Sequence, residues 1–198
     1  MPHWAPTADR RAIAVALFVG FGAALAGLIA APGRDGLFGG ALAFLMLAIA
    51  AIDARSFIIP DELTAAAFLL ALIHAETGAF DGLWDSGGEA VALATLRGFL
   101  VAMVFYLLRE TYRRLRGRQG LGLGDVKLAG VAGAWLDWTM IPIAIELAAL
   151  SALAYYLVRY VILKGRPLRP NGRLPFGLFF APAIWVGWLL GTTLFSGG

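Results

Sequence analysis

Two carboxylates stand where apolar segments give way to polar loops. Asp53 follows a long apolar run and heads the stretch Asp53-Ala54-Arg55-Ser56-Phe57-Ile58-Ile59-Pro60-Asp61-Glu62-Leu63-Thr64. Asp125 closes the glycine-rich stretch Gly120-Leu121-Gly122-Leu123-Gly124-Asp125 and leads through Val126-Lys127-Leu128 into a second apolar run. Acids beside lipid are costly, so they mark functional sites. Two of them on one side of a membrane would make a dyad of the aspartic-protease kind. Close together they cannot both ionise cheaply, so they share a proton.

Each acid also has a purely structural reading. Gly122 and Gly124 permit unusual backbone angles and close approach, and Asp125 sits where the N-cap of the following helix belongs. Capping would orient this carboxylate without excluding chemistry. Lys127 reads as an interfacial anchor, or as a cation that lowers the pKa of a neighbouring carboxylate. Asp53 stands at the C-terminal end of an apolar helix, where the helix dipole disfavours negative charge. The alternative to a site role there is an ion pair with Arg55 or another loop arginine. Asp61, after Pro60, reads as the N-cap of the next helix, with a supporting place in the site as the alternative.

The elements that must carry these acids follow from composition. The chain has 198 residues, 60% of them hydrophobic, and a mean hydropathy of +0.78. That excess of apolar residues must face lipid, which predicts one all-α domain over residues 1–198, a polytopic transmembrane bundle. The absence of cysteine excludes disulfides, thiolate nucleophiles and cysteine zinc sites. With His3 and His74 the only histidines, a histidine-rich metal site is excluded too, and no cofactor is implied. A net charge of +3 and a pI near 9.6 are compatible with nucleic acid. The basic residues cluster in a few loops, however, as membrane topology requires, so no nucleic acid is expected.

Hydropathy predicts six to seven spans over roughly 12–31, 36–52, 62–80, 88–108, 126–141, 142–163 and 175–195. The first follows Arg10 and Arg11 and is read as a transmembrane helix rather than a secretory signal. Segments 36–52 and 126–141 are short, about 24 Å each at about 1.5 Å per residue, and each abuts one of the two aspartates. Such helices would leave an acid in a protein-lined depression below the headgroups.

Seven spans sort the charges. The N-terminus and the loops near 53–61, 109–125 and 164–174 carry Arg10, Arg11, Arg55, Arg109, Arg113, Arg114, Arg116, Arg118, Lys164, Arg166, Arg169 and Arg173. The opposite loops carry Arg34 against Asp35, Asp81, Asp85 and Asp137. The positive-inside rule makes the first side cytoplasmic, with Asp53 and Asp125 both on it. The run 109–118 reads as a topology anchor at lipid headgroups, and 164–173 as an extended loop. The Asp-Gly stretch at 81–88 reads as an outer loop whose spacing does not match a calcium loop. Arg97 and Glu146 lie within spans and either pair with each other or leave Arg97 to snorkel. His74 reads as a hydrogen-bonded interior histidine. Trp4, Trp84, Trp135, Trp138, Trp185 and Trp188 read as interface belt or packing.

The paired motifs resemble the type IV prepilin peptidases, the bacterial GxGD membrane aspartic proteases. The first resembles that family's aspartate, six residues, then Pro-Asp and a Leu-Thr pair, here Asp53, Pro60, Asp61, Leu63 and Thr64. The second resembles its GxGDVKL element, here Gly122, Gly124, Asp125, Val126, Lys127 and Leu128, followed by Gly133-Ala134-Trp135. Leu174-Pro175-Phe176-Gly177 looks like a third element at the last span, with Leu178 where family members commonly carry another proline.

The resemblance implies an aspartic endopeptidase with Asp53 and Asp125 catalytic and Gly122, Gly124, Lys127, Pro60 and Asp61 supporting. It implies a bacterial inner-membrane enzyme that cuts the leader of a type IV prepilin or type II secretion pseudopilin at the cytoplasmic face. Its partners would be that precursor and membrane lipids. Longer family members have an N-terminal cysteine-containing domain linked to N-methylation. This chain resembles a short form without it, and methyltransferase activity is not expected. The rival readings are a small proton- or cation-coupled transporter and an inactive pilus-assembly scaffold.

Overall fold

In the computed structural model, residues 22, 25–29, 31, 33–77, 87–117, 120–162 and 175–195 are described. They form six helices besides the helical residues 25–29: α1 (Arg34–Ser56), α2 (Asp61–Glu76), α3 (Gly87–Arg116), α4 (Leu123–Trp135), α5 (Met140–Ile162) and α6 (Gly177–Phe195). No strand occurs among the described residues. These helices correspond to the second through seventh expected spans. Most of the first expected span, the outer loop at 81–86 and the loop at 164–174 lie outside the described residues.

Four stretches are long and apolar enough to cross a membrane: Arg34–Ser56, Gly88–Arg116, Met140–Ile162 and Gly177–Leu194. The chain is a multi-pass helical membrane protein. On α3 and α5 many large apolar residues point outward, Phe99, Val104, Leu107, Leu157 and Val161 among them. Helices α2 and α4, of 16 and 13 residues, reach about 24 and about 20 Å, short of a hydrocarbon core of about 30 Å.

Three expected boundaries are corrected. The helix before Asp53 is not short: α1 has 23 residues, about 34 Å, and takes Asp53 into its last turns. Polar residues there do not break it, because Ser56 Oγ donates to the Ile52 carbonyl and the Phe57 N–H to that of Asp53. The segment expected over 126–141 is shorter still. It begins at Leu123 and ends at Trp135, where Leu136 turns to extended backbone. The basic stretch 109–116 is helix rather than loop and lengthens α3 to 30 residues, about 45 Å. There Glu110 accepts from Arg113 and Arg114, three and four positions on, which supports one further helical turn.

Helix α4 is the inner helix. Val126 and every residue from Leu128 to Trp135 are buried, and a helix apolar on all sides belongs in a core. Its small residues allow α3 to lie close. A Cβ on Gly133 would come within 2.7 Å of the Arg97 carbonyl oxygen and 2.9 Å of the Gly98 Cα, the small-residue contact by which membrane helices pack. Trp135 Nε1 donates to the Ala67 carbonyl of α2 across 2.9 Å. On the outer helices, a Cβ at Gly39 would fall inside the Trp188 indole, which seats α1 on α6. Trp135 and Trp188 are thus packing residues, whereas Trp138 is exposed.

Arg97 neither pairs with Glu146 nor snorkels. Its Nε donates to the Gly133 carbonyl at 2.7 Å and its guanidinium lies 3.6 Å from Asp137, while Glu146 is exposed on α5. A cation at the C-terminal end of α4 meets the carbonyls that end leaves open. Nearby, buried His74 stacks on Trp135 with its Nε2 3.8 Å from Asp35.

The α3–α4 contact has no room to give, since the atoms that would meet a new side chain are backbone. Gly133→Val is expected to destabilise the protein by about 1–3 kcal/mol, the usual cost of overpacking. Thermal unfolding in detergent measures it, with the exposed Val161→Ala as the neutral control.

Candidate active site

Helix α1 ends in a turn that determines what lies beside Asp53. Phe57 adopts a left-handed conformation, φ 55° and ψ 31°, and closes the helix by donating its N–H to the Asp53 carbonyl. Two residues follow before Pro60, extended at φ −64° and ψ 136°, which caps α2. Pro60 suits this place because its fixed φ and missing N–H cost nothing at a helix start. Thr64 then donates its hydroxyl to the Pro60 and Asp61 carbonyls. This return brings Ile59, which is buried, back beneath the end of α1.

Ile59 is the hub of the site. A Cβ on Gly124 would lie 2.9 Å from its Cβ, and one on Gly177 would lie 2.8 Å from its Cδ1 and 2.8 Å from Asp53 Oδ2. Three chain segments, 53–60, 122–125 and 175–178, therefore meet at one end of the bundle. At Gly124 and Gly177 glycine is required by close approach. Sequence reasoning had no signal for Ile59, an apolar residue among others.

Asp53 is buried, and its partner is not an arginine. The Leu178 N–H donates to Asp53 Oδ2 at 3.0 Å, across 125 positions of sequence. Leu178 stands second in α6, where N–H groups have no partner within the helix. No side-chain pattern announces a backbone donor, so this contact was invisible in the sequence.

Asp125 is not the N-cap of α4. Gly122 is, and Asp125 stands in the first turn with its carboxylate reaching back to accept the Gly122 N–H at 3.0 Å. Burial pushes the Asp125 carboxyl up to about 6, the Gly122 hydrogen bond opposes that rise, and the charge of Asp53 adds to it. The two aspartates thus interact electrostatically from the ends of separate helices.

The supporting candidates divide. Gly122, Gly124 and Pro60 shape the meeting of the three segments. Asp61 is the first residue of α2 rather than its cap, and it pairs with Lys127. Both are exposed, so the Lys127 ammonium is spent on Asp61 at the rim rather than on lowering the pKa of Asp125. An exposed pair of this kind contributes about 0–1 kcal/mol, so it ties α2 to α4 only lightly.

A model of the type IV leader peptidase family matches residues 40–157. The chain is 30% identical over 164 residues to the prepilin leader peptidase/N-methyltransferase of Aeromonas hydrophila, over 83% of this chain and 53% of that protein. It is 32% identical over 168 residues to the protein of that name from Pectobacterium carotovorum subsp. carotovorum, over 84% and 54%. With that of Burkholderia pseudomallei strain K96243 it shares 35% identity over 164 residues, 81% and 49% of the two chains. The chain spans about half the length of these curated relatives. No solved structure matches it significantly.

The raised Asp125 pKa fixes a sign for stability. The folded protein holds this proton up to about pH 6, whereas an unfolded carboxyl releases it near its ordinary value of 3.8. Its contribution is therefore complete below the unfolded pKa and is lost as pH rises through the folded one. Asp125→Asn, which never ionises, is expected to unfold at a higher temperature than the parent at pH 8. The gap should close as the pH is lowered through about 6 towards 4, read by thermal melts across that range.

Proposed function

The chain belongs to the type IV leader peptidase family, and from that membership we propose that it is a membrane aspartic endopeptidase with Asp53 and Asp125 as the catalytic pair. The observation that carries this reading is the meeting of Asp53, Ile59, Gly124 and Gly177 at one end of the bundle, with Asp125 beside them feeling the Asp53 charge. Two interacting carboxylates, one protonated and one ionised, suit the hydrolysis of an amide. The ionised member takes a proton from a water, whose oxygen attacks the scissile carbonyl carbon. The protonated member gives its proton to the carbonyl oxygen. When the tetrahedral intermediate collapses, the first carboxyl protonates the departing amine and the second recovers a proton from the hydroxyl. Both groups end as they began.

The proposed substrate is the precursor of a type IV pilin or a type II secretion pseudopilin, cut to release its leader. The basic residues at 109–116, on the same end of the bundle as both aspartates, support a cytoplasmic site by the positive-inside rule. The proposed setting is the bacterial inner membrane, with the N-terminus inside. A precursor anchored by one apolar helix could lie along the lipid-facing bundle with its leader at this end. The proposal concerns peptide cleavage alone and extends to no methyl transfer.

Co-expression with a candidate prepilin tests it. The parent should convert the precursor to a species lighter by its leader. Asp53→Asn and Asp125→Asn should each lower the rate by at least about 100-fold while remaining in the membrane, since each removes one partner of the acid–base pair. Full cleavage by either variant would overturn the assignment. Ion flux without cleavage would indicate a transporter.

A further inference from the structure

The loop that delivers Asp125 is folded back against the helix it has just left. The chain turns out of α3 at Gly117, left-handed at φ 64°, whose N–H donates to the Arg113 carbonyl at 2.9 Å. At Gly120 the backbone rests on the Tyr112 ring, where a Cβ would fall 2.6 Å from two ring carbons. One residue on, half-buried Arg109 donates its Nε–H to the Leu121 carbonyl at 3.2 Å. The next residue, Gly122, donates its N–H to Asp125 Oδ2 at 3.0 Å. Three successive loop residues thus make one contact each, and the third is to a carboxylate of the proposed pair.

The second and third contacts belong to a single peptide group. The Leu121 carbonyl and the Gly122 N–H lie in one rigid plane, so turning one turns the other. Arg109 therefore sets the direction in which the N–H on Asp125 points. The loop needs such a hold from outside. Its glycines allow the backbone many conformations. The Leu121 carbonyl precedes the N-cap of α4 and has no place in that helix's ladder. Tyr112 stands three positions from Arg109 on the same face of α3 and braces the loop one residue earlier. The other arginines of this stretch do not share the task. Arg113 and Arg114 donate to Glu110, and Arg116 is exposed.

We propose that Arg109 is a positioning residue: by holding the peptide between Leu121 and Gly122, with Tyr112 as brace, it sets where the Asp125 carboxylate stands for peptide cleavage. This rests on the reading of Asp53 and Asp125 as the protease pair and deepens it by naming what aligns the second member. It also gives the extension of α3 a task besides anchoring at headgroups.

Three substitutions separate the donor from the charge. Arg109→Gln places an amide N–H where arginine has Nε, without the charge. Arg109→Met reaches as far with neither. Arg109→Lys keeps the charge and sets its donor one atom farther out. Steady-state leader cleavage by the purified full chain is the first measurement. For Arg109→Met, kcat should fall about 10- to 100-fold, the scale on which a misplaced group slows a reaction, with KM changed by less than about twofold. Arg109→Gln should recover most of that loss. Should Arg109→Met fail to accumulate in the membrane, Tyr112→Ala is read in its place, with the same fall expected and Tyr112→Phe recovering it.

The second measurement is hydrogen exchange over residues 120–125 without substrate. Exchange of the Gly122 amide should quicken in Arg109→Met and stay slow in Arg109→Gln. Unchanged exchange in Arg109→Met would overturn the proposal. So would Arg109→Gln cleaving no better than Arg109→Met, and a normal Arg109→Lys beside that would leave Arg109 a headgroup anchor alone. A raised KM with kcat intact would also overturn it, placing Arg109 against the substrate. Exchange requires no cleavage, so the two readings fail separately. Normal cleavage by Asp53→Asn or Asp125→Asn refutes the pair, whereas the Gly122 amide decides the hold on the loop.

Discussion

A negative charge at the C-terminal end of an apolar helix faces the carbonyls of its own last turn, and something else must compensate it. Here that is the first turn of α6, whose Leu178 N–H reaches Asp53. The neighbouring features follow from this demand. Residue 177 must be glycine for the backbone to come so near. Gly124 must admit Ile59 from the other side. Ile59 must return beneath α1, and the left-handed Phe57 is what returns it. Four residues of no evident chemistry are thus constrained by one carboxylate.

The other end of the bundle solves the opposite problem. Helix α4 is buried from Leu128 to Trp135, so the carbonyls at its C-terminal end cannot turn to water. Arg97 meets two of them from α3, and Asp137 balances its charge. Trp135 ties the same end to α2. With one end held by a guanidinium and the other by the Gly122–Asp125 hydrogen bond, α4 is a short strut. Its position is set by polar contacts at both ends and by glycine contacts with α3 between them.

Much of this was legible in the residues. The all-helical membrane character, the helices on either side of each aspartate and the placement of both acids at one end all follow from hydropathy and charge. What was not legible has two causes. Some contacts belong to the backbone: the Leu178 N–H on Asp53 carries no side-chain signature, and Leu178 itself reads as one more apolar residue. Others depend on helix rotation. Arg97 and Glu146 both lie within spans, but α3 turns Arg97 towards α4 while α5 turns Glu146 outward. In the sequence the ends of α1 and α3 look shorter than they are, because polar residues there resemble boundaries. Once hydrogen bonds such as Ser56 to Ile52 and Arg114 to Glu110 are available, they are ordinary last turns.

The spacing between Asp53 and Pro60 then acquires a physical account. The Phe57 N–H makes the last i→i−4 bond of α1, to the Asp53 carbonyl, and residue 57 then turns the chain out of the helix in a left-handed conformation, which is uncommon for a bulky side chain. Glycine would adopt it with less strain, but would also leave the turn free to take other conformations in the unfolded chain. From residue 57, three residues reach Pro60, and α2 begins at Asp61, on the rim and within reach of Lys127. One residue fewer would withdraw Ile59 from between Gly124 and Gly177. One more would carry Asp61 away from Lys127. The interval is therefore the length of backbone needed to end one helix, place one apolar side chain between two glycines, and start the next.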